Sequence, residues 1–162
     1  MRIGLYFHTL RYLKLRQIFF QVFRRVYRPT AKNNVESVSI RPISGRFIAA
    51  IEKDVSLVGA RQFRFYGEGG DLKSIGWNGC EKEKLWRYNQ HYFDDLNGKD
   101  PPDRYNWHLR LLSDWILNNP CPSGVGWEPY PLSLRIVNWI KWDLAGGELP
   151  DASRKSLYLQ GL

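Results

Sequence analysis

The stretch GVGWEPYPLSLRIVNWIKWDL, residues 124–144, predicts a helix that begins in a proline-stiffened turn. Pro131 fits the first helical turn, where its missing N–H is tolerated. At about 100° per residue, the aliphatic side chains share one arc, which we expect to be the packed face: Leu132, Ile136, Val137, Ile140 and Leu144. Arg135, Asn138 and Trp142 fall on a separate face. We expect that face to point towards a ligand.

The residue types on that second face suit an acidic sugar. An arginine offers a planar fork for a carboxylate, and an asparagine both donates and accepts hydrogen bonds. A tryptophan offers a flat apolar surface to a sugar ring. Trp127, Glu128 and Tyr130 precede the helix in the turn and are candidates for the same cleft. A structural alternative stays open, in which Glu128 pairs with Arg135 and the tryptophans pack between helices.

Residues 81–97, EKEKLWRYNQHYFDDLN, predict an earlier helix with a second group of candidate residues. Its expected buried stripe is Leu85, Tyr88, Tyr92 and Leu96. Tyr88 and His91 are candidates for hydroxyl binding or proton transfer. His91 fits equally well as a structural histidine bonded to backbone. Another helix is predicted over residues 101–120, with Asp103 as its cap and with the stripe Tyr105, Leu109, Leu112 and Ile116.

The chain divides by composition into three segments. Residues 1–30 form a basic amphipathic helical leader with seven Lys or Arg and no Asp or Glu. Residues 31–80 are predicted to be an irregular, partly β segment that wraps over the domain without forming its core. Residues 81–162 are predicted to be successive helices, the last of which has nothing after it to cover its apolar side chains. We therefore expect an all-α fold and a fragment of a larger helical domain.

The leader carries nearly all of the net charge of +8, because the other 132 residues hold 17 basic and 16 acidic groups. A near-neutral body argues against a nucleic-acid partner. Basic residues interrupt the leader too often for a transmembrane span or a signal peptide. We expect the leader to dock on its own protein or, alternatively, to make weak contact with an anionic membrane surface through residues 1–28. A cytoplasmic or membrane-peripheral location is favoured.

No metal or cofactor is predicted. Cys80 and Cys121 are far apart in sequence and form no CxxC pair. The three histidines are scattered and follow no metal-binding spacing: His8, His91 and His108.

Two long motifs resemble the N-terminal part of the heparinase II/III family of polysaccharide lyases, particularly bacterial members found with exopolysaccharide genes. They are LWRYNQHYFDDLN, residues 85–97, and GWEPYPLSLRIVNWIKW, residues 126–142. YFHTLRYLKLRQIF, residues 6–19, and FRFYGEGGDLKSIGWN, residues 63–78, are also similar to that family. The resemblance implies an incomplete (α/α) toroid, followed in full versions by an antiparallel β-sandwich. It also implies a lyase that cleaves uronic-acid-containing polysaccharides by β-elimination.

In that reaction a base removes the C5 proton of the uronate while its carboxylate is neutralised, and an acid protonates the departing oxygen. The resemblance places the family's neutralising and acid–base residues later in the toroid and in the β domain. The run 106–108, Asn-Trp-His, does not match them. We therefore expect no catalytic residue here, but part of a cleft for an acidic polysaccharide. A non-catalytic glycan-binding module and a membrane-associated interaction protein are the alternatives.

Overall fold

A computed structural model describes residues 12–27, 41–42, 44–48 and 51–162. The chain forms two compact units, Met1–Lys32 and Asn33–Leu162. In the first unit, helix α1 spans Leu15–Val26. The parts of the predicted leader at residues 1–11 and 28–30 lie outside the described residues.

The second unit contains a small antiparallel sheet. Its strands are β1 (Leu57–Gly59), β2 (Gln62–Phe65) and β3 (Glu68–Asp71), hydrogen-bonded in that order. Along β2, exposed and buried side chains alternate, as expected for a strand with one face on a core. The sheet therefore covers one side of the helices that follow it.

Five helices follow the sheet: α2 (Leu72–Ile75), α3 (Lys84–Tyr92), α4 (Tyr105–Asn118), α5 (Pro129–Trp142) and α6 (Asp151–Gln160). Short 3₁₀ turns at Asp94–Asn97, Pro101–Arg104 and Val125–Trp127 separate some of them, and a wider turn at Asp143–Gly147 follows α5. Helix α3 contacts α5, and α4 contacts α6. The described residues are thus mainly helical, as the sequence predicted.

The core of this unit is built from aromatic rings. Trp115 and Trp139 are fully buried, and their ring centroids lie 5.8 Å apart in an edge-to-face arrangement. The sheet region also supplies core side chains: Leu57, Phe63, Phe65, Leu72, Ile75 and Trp77. The expectation that residues 31–80 stay out of the core is therefore wrong. Large rings from the sheet fill space that the helices alone leave open.

The predicted faces of α5 are reversed. Its buried residues are Pro131, Arg135, Asn138, Trp139 and Trp142. From the expected packed arc, Val137 and Ile140 are 44% and 42% exposed. The two tryptophans bury more apolar surface than aliphatic side chains do, and internal hydrogen bonds engage Asn138 and two of the three guanidinium nitrogens of Arg135 (below).

The predicted stripe of α3 is also partly wrong. Leu85 is exposed, whereas the helix buries Trp86, Gln90, His91 and Tyr92. The helix ends at Tyr92 because Phe93 adopts a left-handed conformation with φ of 58°. The chain then continues into a 3₁₀ turn and does not extend the helix to Asn97.

In α4, the buried residues are His108, Leu111, Leu112 and Trp115. Of the predicted stripe, only Leu112 is fully buried. Asp103 does not cap this helix, because it lies within the 3₁₀ turn that precedes Tyr105. In α3, α4 and α5 alike, tryptophan and hydrogen-bonded polar side chains set the packed face.

Candidate functional site

Three of the predicted site residues meet at the start of α5. Glu128 occupies the N-cap position of the helix, and the Tyr88 hydroxyl donates a hydrogen bond to its Oε2. The Lys84 Nζ lies 2.9 Å from the same oxygen. The ring of Tyr130 lies 6.3 Å from that of Tyr88. Tyr130 is 58% exposed, so this group is open to solvent.

Two further tyrosines, which the sequence did not indicate as site residues, extend this group. The ring of Tyr92 lies 5.7 Å from that of Tyr130, edge to face. Tyr66, in the turn between β2 and β3, accepts a hydrogen bond of 3.2 Å from the Asn89 amide. We name the set of Tyr66, Tyr88, Tyr92, Tyr130 and Glu128 the tyrosine surface. The spacing of residues in the sequence does not show that the β2–β3 turn lies beside α3. Nothing in the sequence therefore indicated Tyr66 as a site residue.

The Tyr92 hydroxyl is buried and has no hydrogen-bond partner among the described residues. Burial raises its pKa strongly, and the nearby hydroxyls of Tyr130 and Tyr66 raise it further. A buried donor without a partner costs free energy, roughly 1–3 kcal/mol. The Tyr92 hydroxyl is therefore a group that gains from an acceptor supplied by water or by a ligand.

The charges beside the tyrosine surface are mainly positive. The hydrogen bond from Tyr88 lowers the pKa of Glu128, and Lys84 and then Arg87 lower it further. The hydrogen bond to Glu128 in turn raises the pKa of Lys84. At neutral pH, two cations thus lie near the Glu128 carboxylate, and the second carboxylate that acts on this surface, Asp94, is paired with Lys53. This balance leaves a net positive charge for an anionic ligand.

His91 lies beneath the surface and is fully buried. Its Nδ1 accepts a hydrogen bond of 2.9 Å from the Trp115 indole, and its Nε2 lies 2.9 Å from the Trp77 carbonyl oxygen. Because Nδ1 is an acceptor, the proton sits on Nε2 and the ring is neutral. Burial, followed by the charge of Arg135, lowers the pKa of His91 to about 3. His91 therefore has the structural role that the sequence left open, that of a histidine bonded to the backbone.

Arg135 is also fully buried and its guanidinium stacks on the Trp115 ring, with Cζ 3.9 Å from the ring centroid. Its Nε donates to Gln160 at 2.9 Å and its Nη1 to the Gly126 carbonyl at 2.7 Å. Burial lowers its pKa to about 9, so it stays charged at neutral pH. The alternative pairing with Glu128 is not formed, and the expected outward face of α5 points into the core.

Asn138 supports the tyrosine surface from behind. Its amide donates to the Tyr92 carbonyl at 2.9 Å and to Asp94 Oδ1 at 2.6 Å. These bonds hold the end of α3 against α5. The residue is buried, so its amide holds protein groups and is not exposed to solvent.

The two predicted tryptophans occupy different places. The Trp127 indole donates to the Asn119 carbonyl at 3.0 Å, and its ring lies 5.7 Å from that of Trp115. Trp127 thus belongs with His91 and Arg135 around Trp115. Trp142 lies at the other end of α5, where it packs against Tyr105 with ring centroids 5.8 Å apart. Neither ring contacts a ring of the tyrosine surface in the described part of the chain.

A second buried polar cluster braces the sheet against the helices. Asp95 accepts backbone hydrogen bonds from Ser56 and Leu57, and side-chain bonds of 2.8 Å from Arg104 and His108. Burial by itself raises the pKa of Asp95, but these four donors outweigh it and lower the pKa to about 2. Every donor comes from the protein, so we assign this cluster a structural role.

Across the described ranges, no group of three or more His, Cys, Asp or Glu side chains is arranged to hold a metal ion. No described helix has the length and apolar character needed to cross a membrane.

Comparisons with known proteins do not assign the chain to a family. A scan of known protein families, a search of curated proteins and a search of solved structures each found no match. The resemblance of the two long motifs to the heparinase II/III family therefore stays a prediction.

Proposed function

We propose that this chain is the N-terminal, helical part of a heparinase II/III-like polysaccharide lyase, and that the tyrosine surface forms one wall of its cleft for a uronic-acid-containing polysaccharide. The observation that carries this proposal is the gathering of four tyrosines beside Glu128, Lys84 and Arg87. Tyrosine rings offer flat faces to pyranose rings, and their hydroxyls offer polar edges. In the proposed cleft, the two cations hold the uronate carboxylate.

The packing of the helices supports the toroid part of the proposal. Helix α3 contacts α5, and α4 contacts α6, so these two pairs join helices that are next but one along the chain, while α5 also contacts its neighbour α6. Contacts between helices that are next but one along the chain are compatible with the start of an (α/α) toroid. The whole ring remains part of the proposal.

In this proposal the described residues bind substrate and do not carry out the elimination. The buried His91 is neutral, with both ring nitrogens in internal hydrogen bonds. The amide of Asn138 and two nitrogens of Arg135 are likewise engaged inside the protein. We therefore expect the chain alone to form no unsaturated uronate, which absorbance in the ultraviolet would detect.

The direct test is a calorimetric titration of the chain with a uronate oligosaccharide and with its carboxyl-reduced form. We expect weaker binding of the reduced sugar, because the cations lose their partner. Tyr130→Ala removes one ring and is expected to weaken binding about fivefold to tenfold, the scale of one ring contact. Tyr158→Ala, on α6 and 47% exposed, is the matched control. Equal affinities for both sugars, or for both variants, would reject the proposed cleft.

A non-catalytic glycan-binding module would use the same surface. The two functions are separated by assaying the full-length protein for unsaturated uronate. Binding without product would favour the module.

A second candidate function is favoured by a specific feature of α1. In the first unit, this helix exposes apolar side chains at helical spacing, among them Leu15 (86%), Phe19, Val22 and Val26 (84%). Basic side chains without acidic ones accompany them over residues 1–30. This combination is typical of helices that lie on anionic membrane surfaces. Sedimentation with anionic vesicles tests it, and equal sedimentation with uncharged vesicles would contradict the electrostatic part.

A further inference from the structure

A cleft at the C-terminal end of α5 has no part in the proposed function. Its volume is about 570 Å³, within the range of ligand-binding pockets. Aromatic, amide and carboxylate side chains line it: Phe47, Glu52, Asn97, Tyr105, Asn106 and Trp142. We name it the Trp142 cleft. It lies about 18 Å along α5 from Tyr130, because twelve residues at about 1.5 Å each separate the two ends.

Glycines keep one side of the Trp142 cleft open. A Cβ on Gly147 would lie 2.3 Å from the Trp142 ring, so no other residue fits there without displacing the ring. Gly146, with φ of 96°, has no neighbouring atom within 4 Å of where its Cβ would stand. On this side, the Trp142 cleft is therefore lined by the backbone of the wide turn and by the Trp142 ring, and no side chain of these glycines fills it.

Three polar groups in the Trp142 cleft are unengaged. Among the described residues, no hydrogen bond or ion pair engages the carboxylate of Glu52, the amide of Asn106 or the indole N–H of Trp142. Trp142 as a whole is 4% exposed, but its indole nitrogen is not among the described buried polar atoms that lack a partner, so this N–H reaches the solvent of the cleft. An indole N–H that lines a cleft without an acceptor is a donor available to a ligand.

The charge of the cleft selects the class of ligand. Glu52 is the one charged side chain among the described residues that line it. An anionic ligand would be repelled, whereas a cationic one would be attracted. The rings require a ligand with a flat apolar face, and the amide and indole groups require hydroxyls at its edge. A sugar ring that carries a protonated amine has all three properties.

We propose that the Trp142 cleft binds an amine-bearing pyranose, with the ring on Tyr105 and Trp142 and the ammonium group on Glu52. This inference does not rest on the tyrosine surface, whose charge suits the opposite kind of sugar. The two sites would together let one chain hold a polysaccharide that contains both acidic and amine-bearing residues.

The test is binding at pH 6 of three oligosaccharides of equal length to the full chain: glucosamine, N-acetylglucosamine and uronate oligomers. We expect the glucosamine oligomer to bind at least tenfold more tightly at this cleft than the acetylated one, because acetylation removes the charge. Glu52→Gln should remove that difference. Ala145→Trp, at an exposed residue that lines the cleft, should block binding of both. Glu128→Gln, on the tyrosine surface, is the matched control and should leave glucosamine binding unchanged.

Several outcomes would overturn the proposal. Absence of glucosamine binding, or binding that survives both Glu52→Gln and Ala145→Trp, would contradict it, provided that the unfolding midpoints show the variants to be folded. Equal binding of tetramethylammonium would show that the cleft recognises a cation without a sugar. If the chain binds the glucosamine oligomer but not the uronate oligomer, the tyrosine surface alone is rejected. If it binds the uronate oligomer but not the glucosamine oligomer, the Trp142 cleft alone is rejected, so the two proposals fail separately.

Discussion

Helices α5 and α1 place their side chains in opposite ways. Helix α5 buries Arg135 and Asn138 and leaves Val137 and Ile140 more than two-fifths exposed. Helix α1, in the other unit, exposes most of its apolar side chains. Polarity alone therefore does not tell which face of a helix is packed. The size of the neighbouring rings and the supply of hydrogen-bond partners decide it.

In α5, Asn138 and two of the three guanidinium nitrogens of Arg135 are hydrogen-bonded to groups that only tertiary structure brings close. The backbone of Tyr92 and the carboxylate of Asp94 accept from Asn138, while Gly126 and Gln160 accept from Arg135. These partners offset most of the cost of burying the polar groups, although Nη2 of Arg135 is buried without a partner. The stacking of its guanidinium on Trp115 and the apolar contacts of the tryptophans on the same face offset that cost. The apolar face of helix α1 is exposed, and binding to a partner surface would bury it.

The largest expected effect tests the reversed faces of α5. Trp139→Ala should lower the free energy of unfolding by about 3–5 kcal/mol, because the ring is fully buried among Phe93 and Trp115. Val137→Ala should change it by no more than about 0.5 kcal/mol. Urea unfolding followed by tryptophan fluorescence and circular dichroism measures both. Similar losses of unfolding free energy in the two variants would support the packed arc that the sequence predicted for α5.

The next effect tests the exposed face of α1. Phe23→Ser should weaken adsorption to anionic vesicles by about 1.5–3 kcal/mol, the value of burying one large apolar side chain. Gln21→Ser, at an exposed polar position of the same helix, is the matched control. Sedimentation with vesicles gives the partition coefficients. A large loss of folding stability in Phe23→Ser would instead show that the face packs within the protein.

Sequence reasoning located the helices and three members of the tyrosine surface, because helical spacing and proline turns are local signals. It reversed the faces of α5, because the acceptors for Arg135 and Asn138 come from residues at least nine positions away. It missed Tyr66 and Tyr92 as site residues for the same reason. Tyr66 reaches α3 only through the β2–β3 turn, and a turn carries no information about its tertiary neighbours.

A smaller effect concerns pH. His91 has a pKa of about 3 in the folded chain and an ordinary value of 6.5 when unfolded. Below pH 6.5 the unfolded state therefore binds a proton that the folded state does not, and stability falls as the pH falls. The expected loss between pH 7 and pH 5 is about 2 kcal/mol. Asp95 contributes little to the change in stability between pH 7 and pH 5, because its folded and ordinary pKa values both lie below 4.

His91→Gln is the informative variant for this prediction. A glutamine amide can accept from Trp115 and donate to the Trp77 carbonyl, yet it does not titrate in this range. Urea unfolding at pH 5 and pH 7 should then show a flatter pH dependence in the variant. An unchanged slope would show that another group causes the loss of stability in acid.

The smallest expected effect lies at the exposed start of α5. Tyr88→Phe removes the hydrogen bond that contributes most to the low pKa of Glu128, while Lys84 remains in place. The pKa of Glu128 should therefore rise towards its ordinary value and remain below it. Tyr130→Phe is the matched control, because Tyr130 contacts the Tyr88 ring and makes no hydrogen bond to Glu128 in the described structure. Carbon-detected NMR titration of the glutamate carboxyls measures the difference. Equal pKa values in the two variants would show that Tyr88 and Glu128 do not pair in solution, and the tyrosine surface would lose the contact that orders it.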